Sequence, residues 1–162
     1  MTNTSNDEDG ASVRIPPPLV GVLTILLGYA LGRFFTVFPE FGFPAPERYW
    51  IGGTIAVLAG LVFGVWPITR FRKIDQDPTP WSPTPEIVID GPYRITRNPM
   101  YLMMLLVCIG FAIILAEVWI LILTPVCGVT IYLTAIRHEE AYLKTKFGDA
   151  YLDYMKKVRR WI

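Results

Sequence analysis

Four apolar stretches, near residues 19–38, 50–68, 100–116 and 118–136, constrain this chain more than anything else in it. Each is roughly 17–20 residues long, and a helix of that length rising 1.5 Å per residue crosses a hydrocarbon layer of roughly 30 Å. None contains Lys or Asp. The first carries Arg33, close enough to its end to reach the interface. Backbone groups in lipid must be satisfied within their own segment, so such stretches become helices. Of the 162 residues, 52% are hydrophobic and 18% charged, which is too apolar for an ordinary soluble domain. The fold class expected is an all-α integral membrane protein with about four transmembrane helices.

The connections refine this picture. Pro16–Pro18 marks the entry to the first helix, and the proline-rich stretch 39–46 reads as a short turn. Glu117 alone separates the third and fourth stretches, so these two helices form a tight antiparallel hairpin. Pro125 and Gly128 predict a kink or a locally opened backbone in the fourth. The 69–99 connection is long and carries Pro78, Pro80, Pro83 and Pro85 around Trp81, which forbids a long helix there. The run Ile87-Val88-Ile89 suits a loop that packs. After Arg137 the chain becomes amphipathic. Phe147, Tyr151, Tyr154 and Val158 form a helical stripe interrupted at Gly148-Asp149. A cytosolic amphipathic helix near the C-terminus is therefore expected, its basic end, 156–160, suited to an anionic membrane surface.

Residues 1–15 read as a disordered tail, polar and acidic at their start and without the basic region of a signal peptide. Residues 16–162 read as one domain. Thirteen of the fifteen Lys and Arg fall on the side of the termini, leaving Arg48 and Arg33 toward the other. The positive-inside rule then places both termini in the cytosol, and a prokaryotic plasma membrane suits the small size. Cys108 and Cys127 lie inside apolar stretches, so no metal site is expected. Membrane lipids are expected neighbours and nucleic acid is not.

Two polar clusters stand where apolar helices meet water, on the same side by this topology. The first, 90–102, holds Gly91-Pro92-Tyr93-Arg94 and Arg97-Asn98-Pro99-Met100-Tyr101. Asn98 is placed to cap a helix whose first residue is Pro99. A helix N-terminus beside arginines favours an anion such as a carboxylate. The second is Arg137-His138-Glu139-Glu140. Two adjacent carboxylates repel each other and attract a cation such as an ammonium. His138 and Arg137 are weak candidates for a catalytic role. A ligand with anionic, cationic and aromatic parts satisfies both clusters, and S-adenosylmethionine is one such zwitterion among many.

With Phe147-Gly148-Asp149-Ala150-Tyr151 added, these motifs resemble the isoprenylcysteine carboxyl methyltransferase and phospholipid methyltransferase superfamily over residues 78–161. The resemblance implies an integral membrane enzyme that moves a methyl group from S-adenosylmethionine to a lipophilic acceptor, with cofactor motifs in 85–101 and 137–151. It implies cofactor contacts from Tyr93, from Arg97, Asn98, Pro99, Met100 and Tyr101, and from the acidic pair Glu139 and Glu140, one of which binds the cofactor. Pro85, Glu86, Ile87 and Val88 match a loop whose backbone meets the cofactor in relatives. Asn98 stands where eukaryotic members have histidine, so a role needing a protonated ring does not transfer, and Arg97 or Arg94 is left to meet the carboxylate. The scarcity of bases favours an isoprenylcysteine-like carboxylate or a thiol acceptor over a phospholipid amine. A non-enzymatic four-helix assembly or sensor module is the alternative of another class.

Overall fold

The apolar stretches become helices in the computed structural model, which describes residues 11, 13, 15–35, 43–74, 79, 82 and 85–162. These helices are α1 (Pro17–Phe34), α2 (Glu47–Lys73), α3 (Pro99–Leu115), α4 (Val118–Phe147) and α5 (Asp149–Lys157). No strand occurs among the described residues. By length and composition α1, α2 and α4 are able to cross a membrane, and α3, with 17 residues, is apolar but shorter. Their outward faces are greasy: Leu26 of α1, Val57 of α2 and Val129 of α4 are all exposed. Such a belt belongs in lipid rather than water. The expectations for residues 1–10, for 39–42 of the first turn and for Pro78, Pro80, Trp81 and Pro83 lie outside the described residues.

Two long helices contain one widened π turn each. In α2 it spans Gly60–Val65 and leads into Pro67. Proline lacks an N–H and its ring crowds the carbonyl four residues back, that of Phe63; the wide turn upstream absorbs that crowding. In α4 the wide turn spans Tyr132–Ile136. The helix runs on through Pro125, and the ladder opens about one turn beyond Gly128 rather than at the proline. This inserted residue rotates everything after it, which sets the direction of the acidic pair. At 30 residues α4 is also longer than a bilayer core requires. Its apolar part ends near Ile136, and the polar continuation Arg137–Phe147 stands beyond the span.

Small residues let the helices approach. A Cβ on Gly52 would lie 2.5 Å from the Gly110 carbonyl oxygen, and one on Gly110 would lie 2.7 Å from that of Gly52, so α2 and α3 touch backbone to backbone. The tight hairpin between α3 and α4 is present: Ala116 takes the left-handed conformation (φ 51°), and Glu117 caps α4 by accepting from the Trp119 N–H at 3.3 Å. At that end the Trp119 indole also donates to the Phe35 carbonyl (3.2 Å). The starts of α1 and α3, the end of α2 and the polar end of α4 gather at the opposite end. Gly52→Leu and Gly110→Leu are expected to cost about 1–3 kcal/mol by overpacking. Gly53→Leu meets open space and serves as the control. Thermal midpoints in detergent that do not separate Gly52→Leu from Gly53→Leu count against this contact.

Candidate functional site

The site begins with a turn that only glycine opens easily. Gly91 has φ +52°, and a Cβ there would fall inside the Trp66 indole. The chain then makes one 3₁₀ turn, Gly91–Arg94, which buries Pro92 and Tyr93 and leaves Arg94 exposed. Tyr93 stacks edge-on against Phe71 of α2 (centroids 6.0 Å apart), and its carbonyl accepts from the Tyr154 hydroxyl at 2.7 Å. Arg70 fastens the preceding loop to α2, reaching Asp90 at 3.1 Å and Glu86 at 3.3 Å. Phe71, Val88 and Tyr93 form a small core there, with Trp66, Ile74 and Met100 packed against it.

Asn98 occupies the N-cap position of α3, but its side chain makes no capping bond. Its Nδ2 donates instead to the Arg160 carbonyl (3.1 Å), and Thr96 Oγ1 donates to the same oxygen (2.9 Å). The segment after α5 is therefore pinned across the entry to α3.

The acidic pair divides. Glu140 is buried and receives two arginines: Arg97 Nη2 at 3.1 Å, and Arg160 through Nε and Nη2, both at 2.9 Å. Glu139 accepts from the Tyr101 hydroxyl and has no ion pair among the described residues. Burial pushes the Glu139 carboxyl up to about 7; the Tyr101 hydroxyl opposes this and the negative charge of Glu140 adds to it. Arg97, with 7% of its side chain exposed, keeps a buried Nε without a hydrogen-bond partner. A buried donor left unpaired is costly.

These groups surround one cavity of about 840 Å³, counting the space that opens to solvent. The loop contributes Glu86, Ile87 and Val88; the turn and the start of α3 contribute Tyr93, Arg97, Asn98, Pro99, Met100 and Tyr101; α4 contributes Glu139 and Glu140. Pro85 is exposed and outside the lining, as are Arg137 and His138. The latter two lie on the face of α4 turned away from the cavity, so neither of the weak catalytic candidates touches it.

Phe71 and Tyr154, which the sequence reading does not assign to the site, also line the cavity, as do Tyr142, Leu143 and Tyr151, which fall within the 137–151 motif but are not singled out there. Tyr142 and Leu143 follow Glu139 by three and four residues, so the helical period was the available signal. Tyr151 and Tyr154 belong to the helical stripe, and Tyr151 also to the family-like motif 147–151; both are buried. Arg160 was read as part of a basic surface end, and instead it is committed to Glu140.

A family model described as phospholipid methyltransferase matches residues 48–150, well over half of the chain. The chain is also 37% identical over 70 residues to an uncharacterized protein of Haemophilus influenzae, an alignment covering 39% of this chain and 100% of that protein. No solved structure matches.

Proposed function

The chain belongs to the phospholipid methyltransferase family, and from that premise we propose that it transfers a methyl group from S-adenosylmethionine to a lipophilic acceptor at the membrane surface. The observation that carries this reading is the meeting of a cation and an anion in the lining of one cavity: the buried guanidinium of Arg97, which shares Glu140 with Arg160, and the carboxyl of Glu139, which has no ion pair among the described residues. Arg97 meets the cofactor's carboxylate and Glu139 its ammonium. The hydroxyl-bearing rings of Tyr93, Tyr101 and Tyr151 offer faces and edges to its aromatic and cationic parts. S-adenosylmethionine supplies, when bound, an electrophilic methyl group on a sulfonium.

The chain's own contribution is positioning and dryness. Phe71, Ile87, Val88 and Met100 form an apolar wall on the same cavity, suited to hold a greasy acceptor and keep water from the reacting atoms. Among the described residues Arg97 is the one basic side chain in the lining, and it is shared with Glu140. An anionic acceptor finds no second cation there, which favours a neutral nucleophile, a thiol or an amine, over a carboxylate. The family description favours a phospholipid amine as the second reading. Four membrane spans with the site on the basic, cytosolic face complete the proposal.

The test uses isotopically labelled S-adenosylmethionine and purified protein in lipid vesicles containing a prenyl thiol, an aminophospholipid or a prenylcysteine. Label is expected in the thiol or the amine. Label confined to the carboxylate removes the acceptor assignment, and absence of cofactor binding removes the enzyme.

A further inference from the structure

Three charged side chains meet where the segment after α5 crosses the start of α3. Both oxygens of Glu140 are taken by Arg160, through Nε and Nη2 at 2.9 Å each, while Arg97 shares only Oε1, at 3.1 Å. One carboxylate thus faces two guanidinium groups, and the group of three carries one surplus positive charge. Only Arg97 of the two arginines lines the cavity. The surplus is therefore presented to whatever occupies the cavity.

Arg160 is not held by charge alone. Its carbonyl accepts from Thr96 Oγ1 (2.9 Å) and Asn98 Nδ2 (3.1 Å), and the neighbouring Arg159 carbonyl accepts from the Arg97 N–H (3.0 Å). Its guanidinium lies over the Tyr132 ring, 4.8 Å from the centroid, in the wide turn of α4. Trp161 packs against the core that includes Tyr101 and Ile136. A side chain fixed from so many directions sits beyond the 48–150 range that the family model matches.

We propose that Arg160 is a positioning residue for the cavity: by saturating Glu140 it leaves Arg97 free to receive the carboxylate of the bound cofactor. The proposal rests on the reading that the cavity takes S-adenosylmethionine. Without Arg160, Glu140 draws Arg97 wholly to itself, the pair becomes neutral, and the anion loses its receptor.

The experiment titrates S-adenosylhomocysteine, which keeps the carboxylate and ammonium, and adenosine, which lacks both, into the full chain in detergent, by calorimetry. Arg160→Ala is expected to weaken S-adenosylhomocysteine about tenfold, as fits loss of a charge-assisted hydrogen bond, and to leave adenosine unchanged. Arg160→Lys keeps the charge and is expected to lose about threefold. Adding Glu140→Gln to Arg160→Ala restores the surplus charge without the arginine, and glutamine still accepts from Arg97, so binding is expected to recover. A merely structural role weakens both ligands equally and is not rescued. Unchanged binding in Arg160→Ala, or equal weakening of both ligands, overturns the inference while sparing the cofactor reading. A wild type that binds neither ligand overturns the cofactor reading and the inference with it. Should Arg160→Ala fail to fold, Arg160→Lys decides: weakened S-adenosylhomocysteine with unchanged adenosine supports the inference, and unchanged binding or equal weakening of both ligands overturns it.

Discussion

Glu140→Ala is expected to destabilise the folded protein by about 3–5 kcal/mol, because it leaves Arg97 buried without its counter-charge. The size follows from burial. Only 6% of the Glu140 side chain and 7% of that of Arg97 are exposed, so water cannot replace the lost partner. Arg160, at 33%, recovers solvent more easily. The ion pair also joins three separate pieces: the entry to α3, the polar end of α4 and the segment after α5. Its loss therefore removes one of the contacts that hold that segment as well as exposing a charge problem. Thermal unfolding in detergent, with Lys156→Ala as the control, checks this. The Lys156–Asp153 pair is an exposed i,i+3 contact, and its removal is expected to change little. Similar midpoints for the two variants refute a supporting role for Glu140.

The helices were legible because their signal is coarse. Four stretches of roughly span length survive any detail of packing, and the hairpin at Glu117 followed from the lack of room for a longer connection. The two polar clusters were legible because charged residues at a membrane boundary have few reasons to be there. What the sequence concealed was phase and pairing. The wide turn at Tyr132–Ile136 shifts the register by one residue, so no count from Val118 separates the roles of Glu139 and Glu140. The partner of Glu140 lies twenty residues on, at Arg160, in a basic run that composition alone reads as a lipid-facing patch. Asn98 shows the same limit: its position at the helix start was predictable, but its hydrogen bond crosses to a carbonyl 62 residues away. Local pattern fixes where an element starts, while long-range contact decides what its side chains touch.

Glu139→Gln is expected to leave the fold intact and remove most of the affinity for S-adenosylmethionine. Tyr101 still has an acceptor in the glutamine carbonyl, and no ion pair among the described residues is broken. What disappears is the negative charge proposed to face the ammonium. A charge-assisted hydrogen bond contributes about 1.5–3 kcal/mol, so roughly a tenfold to hundredfold rise in Kd is expected. The raised carboxyl pKa adds a second signature. At about 7, Glu139 is partly protonated near neutrality, and a bound cation favours the ionised form. Binding should therefore weaken as pH falls from 7.5 to 6, where the neutral acid dominates before the ligand arrives. Near pH 7 it should release protons, so the calorimetric enthalpy differs between phosphate and Tris buffers. Both effects should vanish in Glu139→Gln, which cannot titrate. A wild-type affinity that is flat between pH 6 and 7.5, or an enthalpy blind to the buffer, places the cation elsewhere. Wild-type affinity retained by Glu139→Gln does the same by a route independent of any pKa, because it removes the charge at every pH.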